Sequence, residues 1–265
     1  MHRNIIFIVL VYRNTEDLVS FFSNNRVNDS HTIVVVSHYD DSSDELFRKI
    51  ASDNKADCLF VQNKGYGYGN NKGIEYALNN YTFNYLIVSN ADINIRHFDD
   101  SYLERYNNVI IAPEIVAANG KRQNPCEPYT PSRMIHYLMY ITYKKDCYRL
   151  IWLFYAWARL KRIFFSIVNR IIKKKYIYSA HGSFVIIPVS VLQALQPLYN
   201  EKMFLMNEEA HLAKKAAKAH IKTVYAPNII IDHKEDGSMS MEYNNEFKLL
   251  KQSFVEFYNY WYLDK

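Results

Sequence analysis

Residues 5–11 read IIFIVLV, an apolar run typical of a buried β-strand, and a helix-like stretch follows at 16–23. The same alternation repeats through the first third of the chain. Further strand-like runs lie at 32–36, 58–62 and 85–89, with helix-like stretches at 44–52 and 70–79. Repeated strand and helix units predict a mainly parallel sheet with helices on both faces. We therefore expect an α/β fold with a mainly parallel central sheet.

Polar segments follow these strands, at the point where each strand ends. They lie at 13–15, 37–43, 63–71 and 90–94. Sheets of this type bind ligands beyond the carboxyl ends of their strands, so these segments should share one edge. That edge is where we expect the chemistry of the protein.

The second half of the chain is expected to add further strands to the same sheet and further helices to its faces. Strands are predicted at 109–116, 183–187, 221–225 and 229–231, and helices at 189–196, 207–219 and 242–262. The chain has 265 residues, 49% of them hydrophobic, which is enough for a substantial core. We expect one catalytic domain over 1–265, with a helical basic and aromatic insertion at 132–176.

Charge and cysteine usage limit the cellular setting. The formal net charge of +5 is mild, and we expect no nucleic-acid partner. Cys58, Cys126 and Cys147 form no CxxC pair, which favours a reducing compartment. No apolar run approaches the roughly 20 residues of a membrane-spanning helix. We expect a cytoplasmic protein that is soluble or peripheral on the inner face of the cell membrane.

The segment 147–175 differs from the rest of the chain because it has no acidic residue and is rich in aromatic and basic residues. In helical register one polar stripe is expected, with Lys161 lying off it. The stripe consists of Arg159, Arg162, Ser166, Arg170 and Lys173. A basic amphipathic helix with aromatic anchors suits an anionic membrane surface. The alternative is a pair of core-packing helices with a solvated basic face, and the pattern leaves both open.

A glycine-rich stretch, QNKGYGYGNNKG at 62–73, lies between a predicted strand and a predicted helix. Glycines there let the backbone approach a ligand, and the start of a helix offers unpaired N–H groups. A dinucleotide-binding fingerprint is the obvious competitor. It fits poorly, because the glycines follow the third strand and their spacing is GxGxG.

The stretch LIVSNADI at 86–93 is an apolar strand that ends in Asn-x-Asp. A carboxylate at the mouth of such a strand can hold a divalent cation, which in turn neutralises a diphosphate leaving group. Asp92 is therefore a candidate metal ligand. A capping or turn aspartate is the alternative when this stretch is taken by itself.

In their order along the chain, these motifs resemble family 2 glycosyltransferases, especially the bacterial rhamnosyltransferase-like enzymes that build surface polysaccharides. The resembling pieces are the glycine-rich turn at 63–73, Asn90-Ala91-Asp92, APEI at 112–115 with NGK at 119–121, and HGSFVI at 181–186. Alanine stands where the family usually has proline. The resemblance covers most of the chain except the basic aromatic segment and implies a GT-A fold.

The resemblance also implies a catalytic base. In FLMNEEAHL at 204–212, the pair Glu208 and Glu209 looks like the Glu-Asp pair of the family at a helix start. By position Glu209 matches the aspartate that serves as base, and glutamate there is a departure. Direct displacement at an anomeric carbon needs one carboxylate to take the proton of the acceptor hydroxyl. Glu208 remains a rival, and acidic residues also favour helix N-termini without any catalytic role.

Several residues are implied to hold the nucleotide-sugar donor and its metal. IDHKEDGS at 231–238 resembles the His-x-x-Gly-x-Ser segment of the family, which places His233 with Asp92 at Mg²⁺ or Mn²⁺. The donor is expected to be UDP- or dTDP-linked. Asp40 or Asp41 could replace the aspartate that contacts the nucleotide base, although Ser37 occupies the simple aligned position. The expected donor pocket further includes Asn63, Gly67, Asn71, Asn90 and His181.

These features together predict an inverting, metal-dependent hexosyl- or deoxyhexosyltransferase. It would move a sugar from a nucleotide-diphospho-sugar to a saccharide or lipid-linked acceptor in bacterial surface polysaccharide synthesis. A catalytically degenerate nucleotide- or membrane-binding assembly partner is the main alternative, because of the departures near Ser37 and at Glu209. A nucleotidyltransferase is disfavoured, since the first loop, YRNT at 12–15, has no glycine. The oligomeric state is left open.

Overall fold

Alternating strands and helices form the first part of the fold, as predicted. The computed structural model describes residues 2–38, 43–172, 175–234 and 246–264. In order, the first elements are β1 (His2–Val11), α1 (Thr15–Asn24), β2 (Ser30–His38), α2 (Asp44–Asp53), β3 (Asp57–Gln62), α3 (Tyr66–Asn80) and β4 (Thr82–Asn90). Strand β1 pairs in parallel with both β2 and β4, and β2 pairs in parallel with β3.

The second part completes the sheet and adds a helical layer. Its elements are β5 (Ile93–His97), a 3₁₀ helix (Asp100–Arg105), β6 (Val109–Ala117), α4 (Arg133–Lys144), α5 (Tyr148–Ile172), β7 (Tyr176–Ile177), β8 (Phe184–Pro188), α6 (Val189–Ala194), α7 (Glu208–Lys218), β9 (Lys222–His233), α8 (Glu246–Tyr258) and a π-helical turn (Asn259–Leu263). The strand order is β3-β2-β1-β4-β8-β6-β9-β5, with β7 beside β9. Strands β1 to β4, β6 and β9 share one direction, so the predicted mainly parallel sheet is confirmed.

The sheet is buried on both faces, which explains the continuous apolar runs in its strands. Ile5 and Phe7 of β1 face a cluster that includes Phe21 of α1. Ile6 and Ile8 face the opposite cluster, where α3, α6 and α7 pack. Alternate residues of one strand therefore supply both cores.

Most of the glycine-rich stretch is helical, although a loop was expected up to residue 69. Helix α3 begins at Tyr66. A Cβ atom on Gly73 would lie 2.6 Å from Cγ2 of Ile8 and 2.7 Å from Cγ2 of Val35, and one on Gly69 would lie 2.5 Å from Cδ1 of Leu10. Two of these glycines thus allow α3 to lie directly on the sheet.

Two other expectations about strands needed correction. The runs at 221–225 and 229–231 are parts of one strand, β9, whose pairing with β6 shifts register between Pro113 and Glu114. Strand β5 was not predicted. It pairs antiparallel with β9 through Ile93 and His233, and so fixes the end of β4 next to the end of β9.

Helices α4, α5 and α8 form a third, mainly aromatic cluster outside the sheet. Tyr140 stacks on Tyr258 with ring centroids 4.3 Å apart, and Tyr143 and Phe257 are almost fully buried. The predicted helical insertion and closing aromatic helix both contribute to this cluster.

The faces of α5 differ from the expected polar stripe. Arg162 points inward and donates to the carbonyl oxygen of Cys126 at 3.0 and 3.2 Å, and Lys161 pairs with Glu127 at 2.6 Å. Both side chains therefore point toward the sheet side of α5, where Lys161 was expected and Arg162 was not. Arg159 is exposed, as the stripe predicted, but the rest of the outward side is mainly apolar, and its most exposed residues include Trp152, Leu153, Leu160, Phe164 and Ile167. A solvated basic face is therefore contradicted for Arg162; the side chain of Arg170 and all of Lys173 lie outside the described residues.

None of the helices in the described ranges is both long enough and apolar enough to cross a bilayer.

Candidate functional site

A cavity of about 570 Å³ opens at the carboxyl ends of the central strands. The ends of β2 and β9 and the segments that follow β1, β3 and β4 reach it, in agreement with the strand pattern. The predicted residues that line it are Asn63, Asn90, Asp92, His181, Glu208, Glu209 and His233. One cavity thus collects the candidate metal ligands, the candidate bases and part of the expected donor pocket.

Asp92 and His233 meet at the floor of this cavity. Their exposed fractions are 7% and 8%, and Oδ1 of Asp92 lies 3.3 Å from Nε2 of His233. Burial favours the neutral acid, but the hydrogen bond and charge of His233, with a hydrogen bond from Asn90, lower the pKa of Asp92 below its ordinary value. The carboxylate is therefore ionised at neutral pH.

Gln123 orients the imidazole of His233. The amide oxygen Oε1 of Gln123 lies 2.8 Å from Nδ1, and because that oxygen can only accept, Nδ1 carries a proton. A neutral imidazole then turns the lone pair of Nε2 toward Asp92. Two acceptors that face each other need a positive charge between or beside them, either a proton on Nε2 or a metal ion.

This donor set fits a hard divalent cation. Carboxylate oxygen suits Mg²⁺ and Mn²⁺, and an imidazole oriented by an outer-shell amide is a common metal ligand. Within the described ranges, no three His, Cys, Asp or Glu side chains form a complete metal site. Asp92 and His233 would thus hold a cation only together with ligands from elsewhere, such as diphosphate oxygens.

Glu208 and Glu209 occupy different environments although they are neighbours at the start of α7. Glu208 is 4% exposed, and its Oε1 is buried with no hydrogen-bond partner in the described part of the chain. Burial and the adjacent charge of Glu209 raise the pKa of Glu208 well above its ordinary value. Burial therefore favours the neutral form of Glu208.

Glu209 is half-buried and better supported. The N–H of Gly182 donates to its Oε1 at 3.3 Å. Burial raises the pKa of Glu209, while backbone hydrogen bonds and the charge of Arg162 oppose that rise. Of the two carboxyl groups, Glu209 has more neighbours that favour the ionised form, which makes it the better candidate for the base.

A strained loop sets the position of this carboxylate pair. Met206 and Asn207 both have positive φ, 74° and 67°, immediately before α7. The carbonyl oxygen of Phe204 accepts from the N–H of Tyr66 at 2.8 Å, and a Cβ on Gly65, whose φ is +107°, would lie 2.1 Å from that oxygen. Left-handed backbone in non-glycine residues is costly and occurs often at functional sites.

The structure does not bring all the predicted donor residues to the cavity. Asn71 is buried and bonded at both ends to the backbone of Tyr199, at 3.0 and 3.1 Å. Gly67 packs closely against the side chain of Tyr199. Neither is among the described residues that line the cavity, so both support α3 instead. Asp40 and Asp41 lie outside the described residues.

Sequence reasoning missed Tyr12 and Gln123 in the cavity wall. Tyr12 follows β1 directly, and it lies in the same wall as Ser37, which donates to Oδ1 of Asn63 at 3.1 Å. Their positions at strand ends were a usable signal. Gln123 gave none, because it reaches His233 only through the pairing of β6 with β9 and the turn that follows β6.

No family model matches this chain. A curated relative, a low-salt glycan biosynthesis hexosyltransferase of Haloferax volcanii, is 27% identical over 223 residues. The match covers 81% of this chain and 62% of that protein, so the chain spans less than two thirds of the length of its relative.

Three solved structures share the fold at 10–12% identity. GalNAc-T7 with UDP, GalNAc and Mn²⁺ has a TM-score of 0.58 and is matched over 88% of this chain and 44% of its own. S. aureus TarS has a TM-score of 0.54, with coverage of 87% and 36%. The Pyrobaculum calidifontis mannosyltransferase PcManGT, in complex with GDP-Man and Mn²⁺, has a TM-score of 0.54, with coverage of 88% and 57%. The chain therefore has the GT-A type of fold found in glycosyltransferases.

Proposed function

We propose that this protein is an inverting, metal-dependent glycosyltransferase. The observation that carries the proposal is one cavity with Asp92 and His233 at its floor and the ionisable Glu209 in its wall. The GT-A fold and the relative named as a hexosyltransferase support the same assignment.

The carboxyl groups of the cavity favour direct displacement, in which one carboxylate acts as a base and none forms a covalent intermediate. Glu209 takes the proton of the acceptor hydroxyl while its oxygen attacks the anomeric carbon from the face opposite the nucleotide. A new glycosidic bond forms, the bond to the diphosphate breaks, and the configuration inverts. Burial favours the neutral form of Glu208, and Asp17 is paired with Lys234 at 3.0 Å. With Asp92 assigned to the cation and Glu209 to the acceptor proton, the described cavity wall leaves no carboxylate to act as a nucleophile.

Asp92 and His233 would hold Mg²⁺ or Mn²⁺ together with the donor diphosphate. The bound cation would neutralise the charge that develops on the leaving group. Asn63, Asn90 and His181 would contact a UDP- or dTDP-linked donor from the surrounding wall. Asn63 is positioned by Ser37, and His181 by a hydrogen bond from its N–H to Oδ1 of Asn124 at 2.8 Å.

The assignment to a family and to a class of acceptor rests on the order of the motifs along the sequence. We assign the protein to the rhamnosyltransferase-like enzymes of family 2, as one catalytic domain over 1–265 that includes the insertion at 132–176. The transferred group is a hexose or deoxyhexose, and the acceptor is a saccharide or a lipid-linked saccharide of a bacterial surface polysaccharide. The relative named for glycan biosynthesis supports this class of pathway.

The outward apolar side of α5 supports peripheral attachment to the inner face of the cell membrane. Trp152 is 74% exposed and Leu153 64%, and the described chain does not cover them. The segment also lacks acidic residues. Exposed aromatic and aliphatic side chains next to cations suit an anionic lipid surface.

Substitution of the two glutamates tests the catalytic assignment. We expect Glu209→Gln to lower transfer by about 10²- to 10⁴-fold, because it removes the base, and to leave donor binding unchanged. Glu208→Gln is the matched control: it removes the other carboxyl group of the pair at unchanged size and should retain most activity. Transfer would be measured by release of nucleoside diphosphate. Full activity in Glu209→Gln, or loss in Glu208→Gln alone, would reverse the assignment.

A further inference from the structure

A second, larger cavity meets the first at the proposed base. It has a volume of about 1,280 Å³ and lies among α4, α5, the start of α7 and the segment at 121–127. Glu209 lines both cavities, whereas Asp92 and His233 line only the first. A molecule in the second cavity can therefore reach the base from the side away from the metal ligands.

The wall of the second cavity is apolar on the side of α5. Ile151, Phe154 and Phe165 line it, and Ile151 and Phe165 are almost fully buried. The opposite side of α5 carries the exposed Leu160 and Phe164. The apolar wall and the exposed apolar surface thus belong to the same helix.

Cations lie in the same cavity. Lys161 and Arg162 are held by Glu127 and by the carbonyl oxygen of Cys126. Arg159 and Lys121 are exposed and form no ion pair within the described part of the chain. Guanidinium and ammonium groups that lack a partner are suited to bind phosphate oxygens.

Asn207 adds a polar contact near the base. Its Nδ2 is buried and has no hydrogen-bond partner among the described residues. It lines the second cavity beside Glu209, where it can donate to an oxygen of a bound saccharide. A buried donor without a partner is costly unless a ligand satisfies it.

We propose that the second cavity binds the acceptor, and that the acceptor is a saccharide linked through phosphate to a lipid. The apolar wall takes the first part of the lipid chain, Arg159 and Lys121 take the phosphate, and the sugar hydroxyl points to Glu209. This inference rests on the proposed function, since it gives the acceptor of the same reaction. Trp157 and Ile163 line the cavity and are also 51% and 49% exposed, so the apolar wall reaches the protein surface, which favours a lipid-linked acceptor over a free saccharide.

Calorimetric titration with dodecyl phosphate, below its micelle concentration, tests this site. Glucose 1-phosphate supplies the phosphate without the chain, and dodecyl maltoside supplies the chain without the phosphate. We expect dodecyl phosphate to bind at least about tenfold more tightly than either. Arg159→Gln should weaken its binding by about tenfold, and Ala158→Trp, which fills the cavity, should abolish it. Phe164→Ser, on the exposed side, is the control and should bind as the parent protein does.

The outcomes separate this inference from the proposed function. Equal affinity for glucose 1-phosphate or dodecyl maltoside, or unchanged binding in both Arg159→Gln and Ala158→Trp, would overturn the acceptor site. Nucleotide-sugar binding, measured on the same preparations by thermal shift, reports on the first cavity and on the folding of each variant. Normal nucleotide-sugar binding without selective binding of dodecyl phosphate would leave the transferase standing and refute this site.

Discussion

Most of the side chains to which we assign chemistry lie at the end of a strand or the start of a helix. The location of Asp92 and Glu209 in the cavity wall was predictable because each lies in a short local pattern. Gln123 was not, because its contact with His233 joins residues 110 positions apart. Asn71 looked like a ligand residue, yet its amide serves the backbone of Tyr199. Local patterns identify the polar residues at an edge but not which of them support the fold.

The contact between Gln123 and His233 should matter for metal affinity. We expect Gln123→Ala to weaken metal-dependent donor binding by about 10- to 100-fold, because His233 loses the acceptor that fixes its ring. Gln123→Glu keeps an oxygen acceptor at that position and should retain most of the affinity. Titration of the donor at several Mn²⁺ concentrations would measure the difference. Equal affinity in the alanine variant would show that Gln123 does not orient the imidazole.

Helices and strands were predictable where their periodicity was strong. Strands β1 to β4 and their helices followed from repeated apolar runs. The short β5 did not, because INIRH at 93–97 alternates without a clear core side and its pairing with β9 is non-local. The composition of α5 and the position of Lys161 off the polar stripe were recognised, but the inward position of Arg162 was not, since it depends on the carbonyl oxygen of Cys126. Helical periodicity gives the faces of a helix, and the neighbours decide which face is exposed.

The exposed side of α5 predicts binding to anionic vesicles. We expect the parent protein to co-sediment with vesicles of phosphatidylglycerol and phosphatidylcholine. The double variant Leu160→Ser, Phe164→Ser should partition about tenfold less, because it removes two exposed apolar side chains. Val19→Ser on α1, where Val19 is 49% exposed, is the matched control and should partition as the parent does. Equal sedimentation of all three proteins would refute membrane attachment through α5.

The free energy of unfolding of the protein should depend on pH through Glu208. Its pKa in the folded protein lies above the ordinary value of 4.5, so above that pH the unfolded chain releases a proton that the folded protein keeps. Stability therefore falls as pH rises, by at most about 1.4 kcal/mol per pH unit, until the pH passes the raised pKa.

Glu208→Gln removes this dependence, because glutamine does not ionise. We expect the variant to be more stable than the parent at about pH 8, and the difference to shrink toward about pH 5. Thermal unfolding across this range would measure it, with Glu75→Gln, an exposed glutamate on α3, as control. A variant that is less stable than the parent at every pH would show that Glu208 is ionised and paired in the folded protein.

Binding of a nucleotide sugar tests the proposed function most directly. Thermal unfolding would be followed with a panel of UDP-, dTDP- and GDP-sugars, each with Mn²⁺, Mg²⁺ or a chelator, for the parent and for Asp92→Ala. We predict that at least one donor stabilises the parent only when metal is present, by about 2.7 kcal/mol at a hundredfold excess over its Kd, and that Asp92→Ala loses this effect. If no donor stabilised the parent protein with either metal, the assignment of the cavity as a nucleotide-sugar site would be contradicted.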